Sequence, residues 1–141
     1  MTYRYRTGIR WTGERRGVLS SKGRPDLEVA CGPEFGGHEG YWTPEHIFVA
    51  AIEHCTMSTF LWLAERRRAR LVFYESEAEA VATMTGGGLA FTTVTVRVRI
   101  GIASETDRRK VERCLDDVPR YCMVHRSVRT GVTVEPEIFV S

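Results

Sequence analysis

The sequence predicts an α+β fold in which antiparallel sheets wrap long central helices, with two copies of the chain sharing the cover. Three observations carry that prediction. Residues 43–68, "TPEHIFVAAIEHCTMSTFLWLAERRR", are too long a run for a strand and apolar almost all the way round, the mark of a helix covered on every side. Stretches alternating with period two lie both before and after it, as half-buried strands do. A single chain of 141 residues has limited sheet with which to enclose a helix of about seven turns. A second copy is the natural source of cover, so a homodimer is expected.

The elements follow in order. Tyr3, Tyr5, Thr7, Ile9 and Trp11 alternate with Arg4, Arg6, Gly8 and Arg10, predicting a first strand with one wet face. "GERRG", residues 13–17, turns the chain; "VLSS" is a second strand, "KGRPD" another turn and "LEVAC" a third strand, giving a small antiparallel meander. "GPEFGGHEGYW", residues 32–42, has four glycines and a proline and reads as an irregular loop. Thr43 then suits the N-cap of the long helix and Pro44 its first position, where a missing N–H costs nothing.

After the helix, "ARLVFYESEAEAVATMT" and "LAFTTVTVRVRIGIA" form a long hairpin joined at Gly86, Gly87 and Gly88. In its second strand Val94, Val96, Val98, Ile100 and Ile102 share the buried face, while Thr93, Thr95, Arg97 and Arg99 share the other. A second helix starts at Ser104 with Asp107 three residues on, carries Val111, Cys114, Leu115 and Val118 at amphipathic spacing, and is expected to end before Pro119. "RYCMVHRSV" is a short helical segment and "GVTVEPEIFV" a last strand.

Length suits a single domain, 1–141, able to bury a core without disulfides or structural metal. The first residues alternate in charge, and no stretch is expected to approach the ~20 apolar residues of a membrane span. The chain therefore reads as soluble and unprocessed, without a membrane partner. Cys31, Cys55, Cys114 and Cys122 are too few and too irregularly spaced for a secreted disulfide scaffold, which favours a reducing, cytoplasmic setting. Twenty basic and 18 acidic residues leave a net charge of +2. The densest basic run, Arg66 to Arg70, closes the long helix where its dipole is negative, so no nucleic-acid partner is expected.

Cys55, near the middle of that helix, poses the functional question. Phe48, Ala51 and Ile52 share its face on one side and Ser58, Thr59 and Trp62 on the other. It reads either as a packed core thiol or as a nucleophile. As a nucleophile it needs a cation from elsewhere, because the helix dipole fades within the first turn and apolar surroundings keep a thiol protonated. An arginine held by a carboxylate would meet that need.

"GERRGVLSS", "PEFGGHEGYWTPEHIFVAAIEHC" and "RYCMVHRSV", in this order along nearly the whole chain, resemble the organic hydroperoxide resistance (Ohr) branch of the OsmC family of thiol peroxidases. The family shows Gly-x-Arg-x-Gly followed by Ser-Ser, a Gly-Gly loop before Asn-Pro-Glu, and a helix carrying Ala-Cys. The resemblance implies antiparallel sheets wrapped around central helices in an intertwined homodimer, with each site at the subunit interface. It implies a peroxidatic Cys55 held as thiolate by Arg15, with Glu45 orienting that arginine and Cys122 as the resolving thiol. It also implies organic hydroperoxide substrates, a dithiol reductant of the dihydrolipoyl type, no cofactor, and an apolar pocket for which Phe48, Met57, Phe60 and Trp62 are candidates. The chain departs from the pattern at Thr43, where the family has Asn, at His54, where it has Ala, and in Cys-Met-Val-His at 122–125, where it has Cys-Pro-Tyr-Ser.

Two other readings stand beside the peroxidase. One is a catalytically silent dimer of the same fold binding an apolar ligand. The other is a metal site formed by His54, Cys55, Cys122 and His125, opposed by the divergence of ~100° between neighbours on a helix. Cys31 and Cys114 read as strand and core cysteines.

Overall fold

The computed structural model describes residues 1–141, which form two compact units, 1–48 and 49–141. In the first unit, β1 (Gly8–Gly13), β2 (Arg16–Ser20) and β3 (Leu27–Ala30) make the predicted antiparallel meander in the order β1-β2-β3. Trp11 pairs with Gly17 and Gly13 with Arg16, so Glu14 and Arg15 are the turn. The first strand is shorter than its alternation suggests, starting at Gly8. Its apolar face is also not buried: Ile9 and Trp11 are 71% and 75% exposed. Alternation reports which side chains share a face, not whether this copy of the chain covers that face.

The loop after β3 is irregular as expected, with a 3-10 turn at Pro33–Phe35. It folds back tightly on the strand end: Gly37 N–H donates to Gly32 O at 2.9 Å and His38 N–H to Cys31 O at 2.8 Å. A Cβ at Gly37 would lie 1.8 Å from the Cys31 carbonyl oxygen, so only glycine fits this approach. The long helix, α1 (Pro44–Arg66), begins at the predicted cap, with Thr43 Oγ1 accepting from His46 N–H at 3.1 Å.

In the second unit, β4 (Leu71–Thr85) and β5 (Gly88–Ile102) form the long hairpin. Its two-residue turn is Gly86–Gly87, at φ 51° and 104°, the left-handed pair that a tight hairpin demands. The predicted inner face of β5 is buried throughout, from Val94 to Ile102. α1 packs on that face through Phe60, whose ring is 5.5 Å from that of Tyr74, and through Glu53, which accepts from Ser76 Oγ at 2.5 Å. The last strand, β6 (Gly131–Val140), corrects the expectation of purely antiparallel sheets. It pairs parallel to β5, with Val94 opposite Val132 and Ile100 opposite Ile138. The intervening helices form a crossover connection, which returns the chain in the direction of β5. Pro136, which has no N–H to give, is tolerated because β6 is an edge.

A second correction concerns α2 (Arg108–Tyr121), preceded by a 3-10 turn at Glu105–Asp107. It runs through Pro119 instead of ending before it. Val111, Cys114, Leu115 and Val118 bury one face down to this last turn, and Cys122 N–H closes it on Val118 O at 2.8 Å. The one hydrogen bond that proline forfeits lies near a helix end already anchored by burial. α3 (Met123–Ser127) follows at once.

Within this chain α1 buries a single face, Ile52, Thr56, Phe60, Leu63 and Ala64, and leaves Leu61 and Trp62 38% and 46% exposed. It departs from expectation in one respect: its length and composition would allow it to cross a membrane, contrary to the reading of the sequence. The reason is that Glu53 is the only charged residue between Ile47 and Ala64, and 23 residues rise about 34 Å.

Candidate functional site

The second unit brings Cys55 and Cys122 together. Cys55 projects from α1 three turns in, half-buried, with Sγ 3.8 Å from Thr59 Oγ1 one turn on. Cys122 sits at the junction of α2 and α3, fully buried, where its sulfur caps α3 by accepting from His125 N–H at 3.5 Å. All four cysteines are free thiols. Burial pushes the Cys122 thiol up to about 11, and its hydrogen bond with the Cys55 thiol adds to the rise; the His125 N–H and the Thr59 hydroxyl pull the other way. Cys122 is therefore protonated at neutral pH and ionises only with local help.

Thr56, the neighbour of Cys55 on α1, is fully buried and ties the same turn down. Its hydroxyl donates to Ile52 O at 2.7 Å, and its oxygen is 2.7 Å from His125 Nε2. His125 is half-buried, and burial holds its imidazole below the ordinary histidine range. In the sequence Thr59 shares the Cys55 face, whereas Thr56 has no evident part and His125 stands only as a candidate metal ligand. The signal for Thr56 was its place beside Cys55; nothing in the sequence pairs it with His125.

His54, by contrast, is exposed, and no group of three or more His, Cys, Asp or Glu residues is placed to hold a metal ion. The ligand set of the metal reading does not assemble, because neighbours on one helix diverge. Phe60, proposed for the pocket, is a fully buried core residue. Trp62 is half-exposed against Tyr121 and Arg66, with the rings 5.7 Å apart and the guanidinium 5.0 Å above the indole.

The first unit holds Arg15 and Glu45. Arg15 lies in the β1–β2 turn, and its Nη1 donates to Phe35 O at 2.6 Å and lies 4.0 Å from Cys31 Sγ. The loop past β3 thus holds the guanidinium in place. Arg16 turns to other partners, Tyr41 first and then Glu14, which raise its already high pKa. Glu45 is half-buried in the first turn of α1. An apolar cleft of ≈ 660 Å³ opens in this unit, lined by Ile9, Trp11, Leu19, Val29, Ile47 and Phe48, with Arg15 and Cys31 at its wall. That volume is in the range of small-molecule pockets.

Residues 36–137 match the family described as OsmC-like protein. No functionally curated protein matches the chain. Among solved structures it is similar to an OsmC-like protein of unknown function from Vibrio cholerae, at 20% identity and a TM-score of 0.88, over 96% of this chain and 100% of that one. It is also similar to an organic hydroperoxide resistance protein OsmC from Legionella pneumophila, at 21% identity and a TM-score of 0.73, over 98% and 99%. The organic hydroperoxide resistance protein OhrB of Bacillus subtilis follows at 20% identity and a TM-score of 0.67, over 96% and 98%. At these identities the structures speak for the fold.

Proposed function

We propose, from the premise that the chain belongs to the family of OsmC-like proteins, that it is a thiol-dependent peroxidase reducing organic hydroperoxides. The observation that carries this reading is the interacting thiol pair, a half-buried Cys55 against a buried Cys122 with Thr59 beside both. Two of the structural neighbours bear the name organic hydroperoxide resistance protein, which agrees with it.

In the first step the Cys55 thiolate attacks the distal oxygen of the hydroperoxide. An S–O bond forms, the O–O bond breaks, and the alcohol leaves once its oxygen takes a proton. In the second, the Cys122 sulfur attacks the Cys55 sulfenic acid; an S–S bond forms, the S–O bond breaks and water leaves. A dithiol, of the dihydrolipoyl type, then returns both cysteines to thiols by exchange. Arg15 and Glu45 take the roles the family resemblance implies, a cation that supports the thiolate and a carboxylate that orients it. A cytoplasmic setting fits four free thiols.

The working form is a homodimer. Ile9 and Trp11 on β1 and Leu61 and Trp62 on α1 are large apolar side chains left in water by this chain, and a second copy is the cover we assign to them. Peroxide consumption tests the chemistry. The reduced protein is expected to turn over cumene hydroperoxide with a dithiol, Cys55→Ser to abolish turnover, and Cys122→Ser to consume a single equivalent and stall. Full activity in Cys55→Ser would overturn the reading.

A further inference from the structure

We propose that His125 is a positioning residue that latches the turn carrying Cys122 onto α1 by donating its Nε2–H to Thr56, and so holds the two thiols within disulfide reach. The inference rests on the reading of Cys55 and Cys122 as a redox pair. No role follows for His125 from the family pattern, in which serine holds that place.

The direction of the hydrogen bond comes from counting hydrogens. A threonine hydroxyl has one to give, and Thr56 gives it to Ile52 O at 2.7 Å. Its oxygen can therefore only accept from His125 Nε2, also 2.7 Å away, so Nε2 carries the hydrogen. Burial keeps the imidazole neutral to lower pH than usual. Since Nε2–H is present in the neutral tautomer so fixed and in the charged ring alike, the bond does not open on protonation.

The need for a latch follows from α3 itself. Five residues are too few to hold a helix by their own hydrogen bonds, and Met123, Arg126 and Ser127 lie exposed. What ties the turn down is the Cys122 side chain at one end and the His125 ring at the other. Those ties form adjacent rungs, Cys122 to Cys55 and His125 to Thr56, on consecutive residues of α1. A disulfide tolerates only a narrow Cα separation, ~4.4–6.8 Å, so a turn held at two points spends more of its time in closing geometry than one held at a single sulfur.

The test is the effective concentration of the Cys55–Cys122 disulfide in glutathione redox buffers, read by peptide mass spectrometry. Glutathione disulfide is the oxidant: each Cys55–Cys122 bond formed releases two glutathione thiols. Thr56→Val and His125→Leu are each expected to lower the effective concentration about two- to tenfold, the loss of one net hydrogen bond. His125→Gln, whose Nε2–H reaches the same place, and Thr56→Ser are expected to stay within about twofold of the parent chain. The double variant Thr56→Val/His125→Leu should be no worse than the worse single one, since both remove the same bond.

Unchanged values in folded Thr56→Val and His125→Leu, or effects that add in the double variant, would overturn the latch. Because the measurement uses no hydroperoxide, a chain that fails to consume cumene hydroperoxide yet shows this pattern would sink the peroxidase reading and uphold the latch. The reverse pattern, turnover with no effect of the variants, would do the opposite.

Discussion

Cys122 offers the sharpest check on the division of labour between the two thiols. The perturbation is pH, and the response is the rate at which Cys122 is alkylated by iodoacetamide in the native protein. Its thiol ionises near 11, against an ordinary 9.0, so two pH units separate it from an unhindered cysteine. At pH 7.5 the thiolate fraction is then ~0.03% instead of ~3%, a hundredfold deficit, and only the thiolate reacts. The logarithm of the rate should climb with unit slope from about pH 7 to about pH 10 without levelling. The slope is the decisive quantity, because poor access lowers the whole curve but does not move its plateau. In Cys55→Ala the curve should shift to lower pH, since the Cys55 thiol is the second cause of the elevation after burial. Stability supplies a cross-check of sign. The unfolded chain gives up this proton near 9.0 and the folded one near 11, so stability contributed by the protonated thiol is complete below about pH 9 and is lost as pH rises towards 11. A plateau in the alkylation of Cys122 at or below about pH 9 would refute the reasoning and make Cys122 a competitor of Cys55 for peroxide, not its resolver.

Two further outcomes follow. Arg15→Ala should lower kcat/KM for cumene hydroperoxide by at least about tenfold, the scale of one charge-assisted hydrogen bond, while Arg16→Ala changes it less than about threefold; steady-state assays showing the reverse order would move the role to Arg16. Phe60→Ala should cost about 3–5 kcal/mol in urea unfolding, because the ring is fully buried against Tyr74, and a loss below about 1 kcal/mol would show that the site collapses on deletion.

The fold was legible where local chemistry and pattern agreed. Thr43 and Pro44 announced the start of α1, the paired glycines at 86 and 87 the hairpin turn, and the alternation from Val94 to Ile102 a strand with one inner face. It was less legible where a long-range choice decided. The pairing of β6 with β5 rather than with another edge sets its parallel direction, and no residue within "GVTVEPEIFV" encodes that choice. Pro119 misled because proline propensity is a local penalty, whereas four buried side chains on α2 act together against it. The apolar face of β1 was legible only in part: period two sorted its side chains, but it does not report burial, and this chain leaves Ile9 and Trp11 exposed.

The site divides along the same line. Cys55 and Cys122 stand 67 positions apart, and their meeting was expected from a family pattern, not from any spacing that chemistry alone would recognise. The family pattern assigns no part to the other two residues of the site. A histidine three residues after Cys122 and a threonine one residue after Cys55 each look ordinary in the sequence, and become a pair only when α3 folds back on α1. What makes the pair readable afterwards is a hydrogen count. The hydroxyl of Thr56 is already committed to Ile52, so the ring has to donate, and a residue first weighed as a metal ligand becomes a hydrogen-bond donor with its Nε2 occupied. That commitment argues against metal ligation through the same nitrogen more directly than any spacing rule, since a ligating imidazole nitrogen must offer its lone pair.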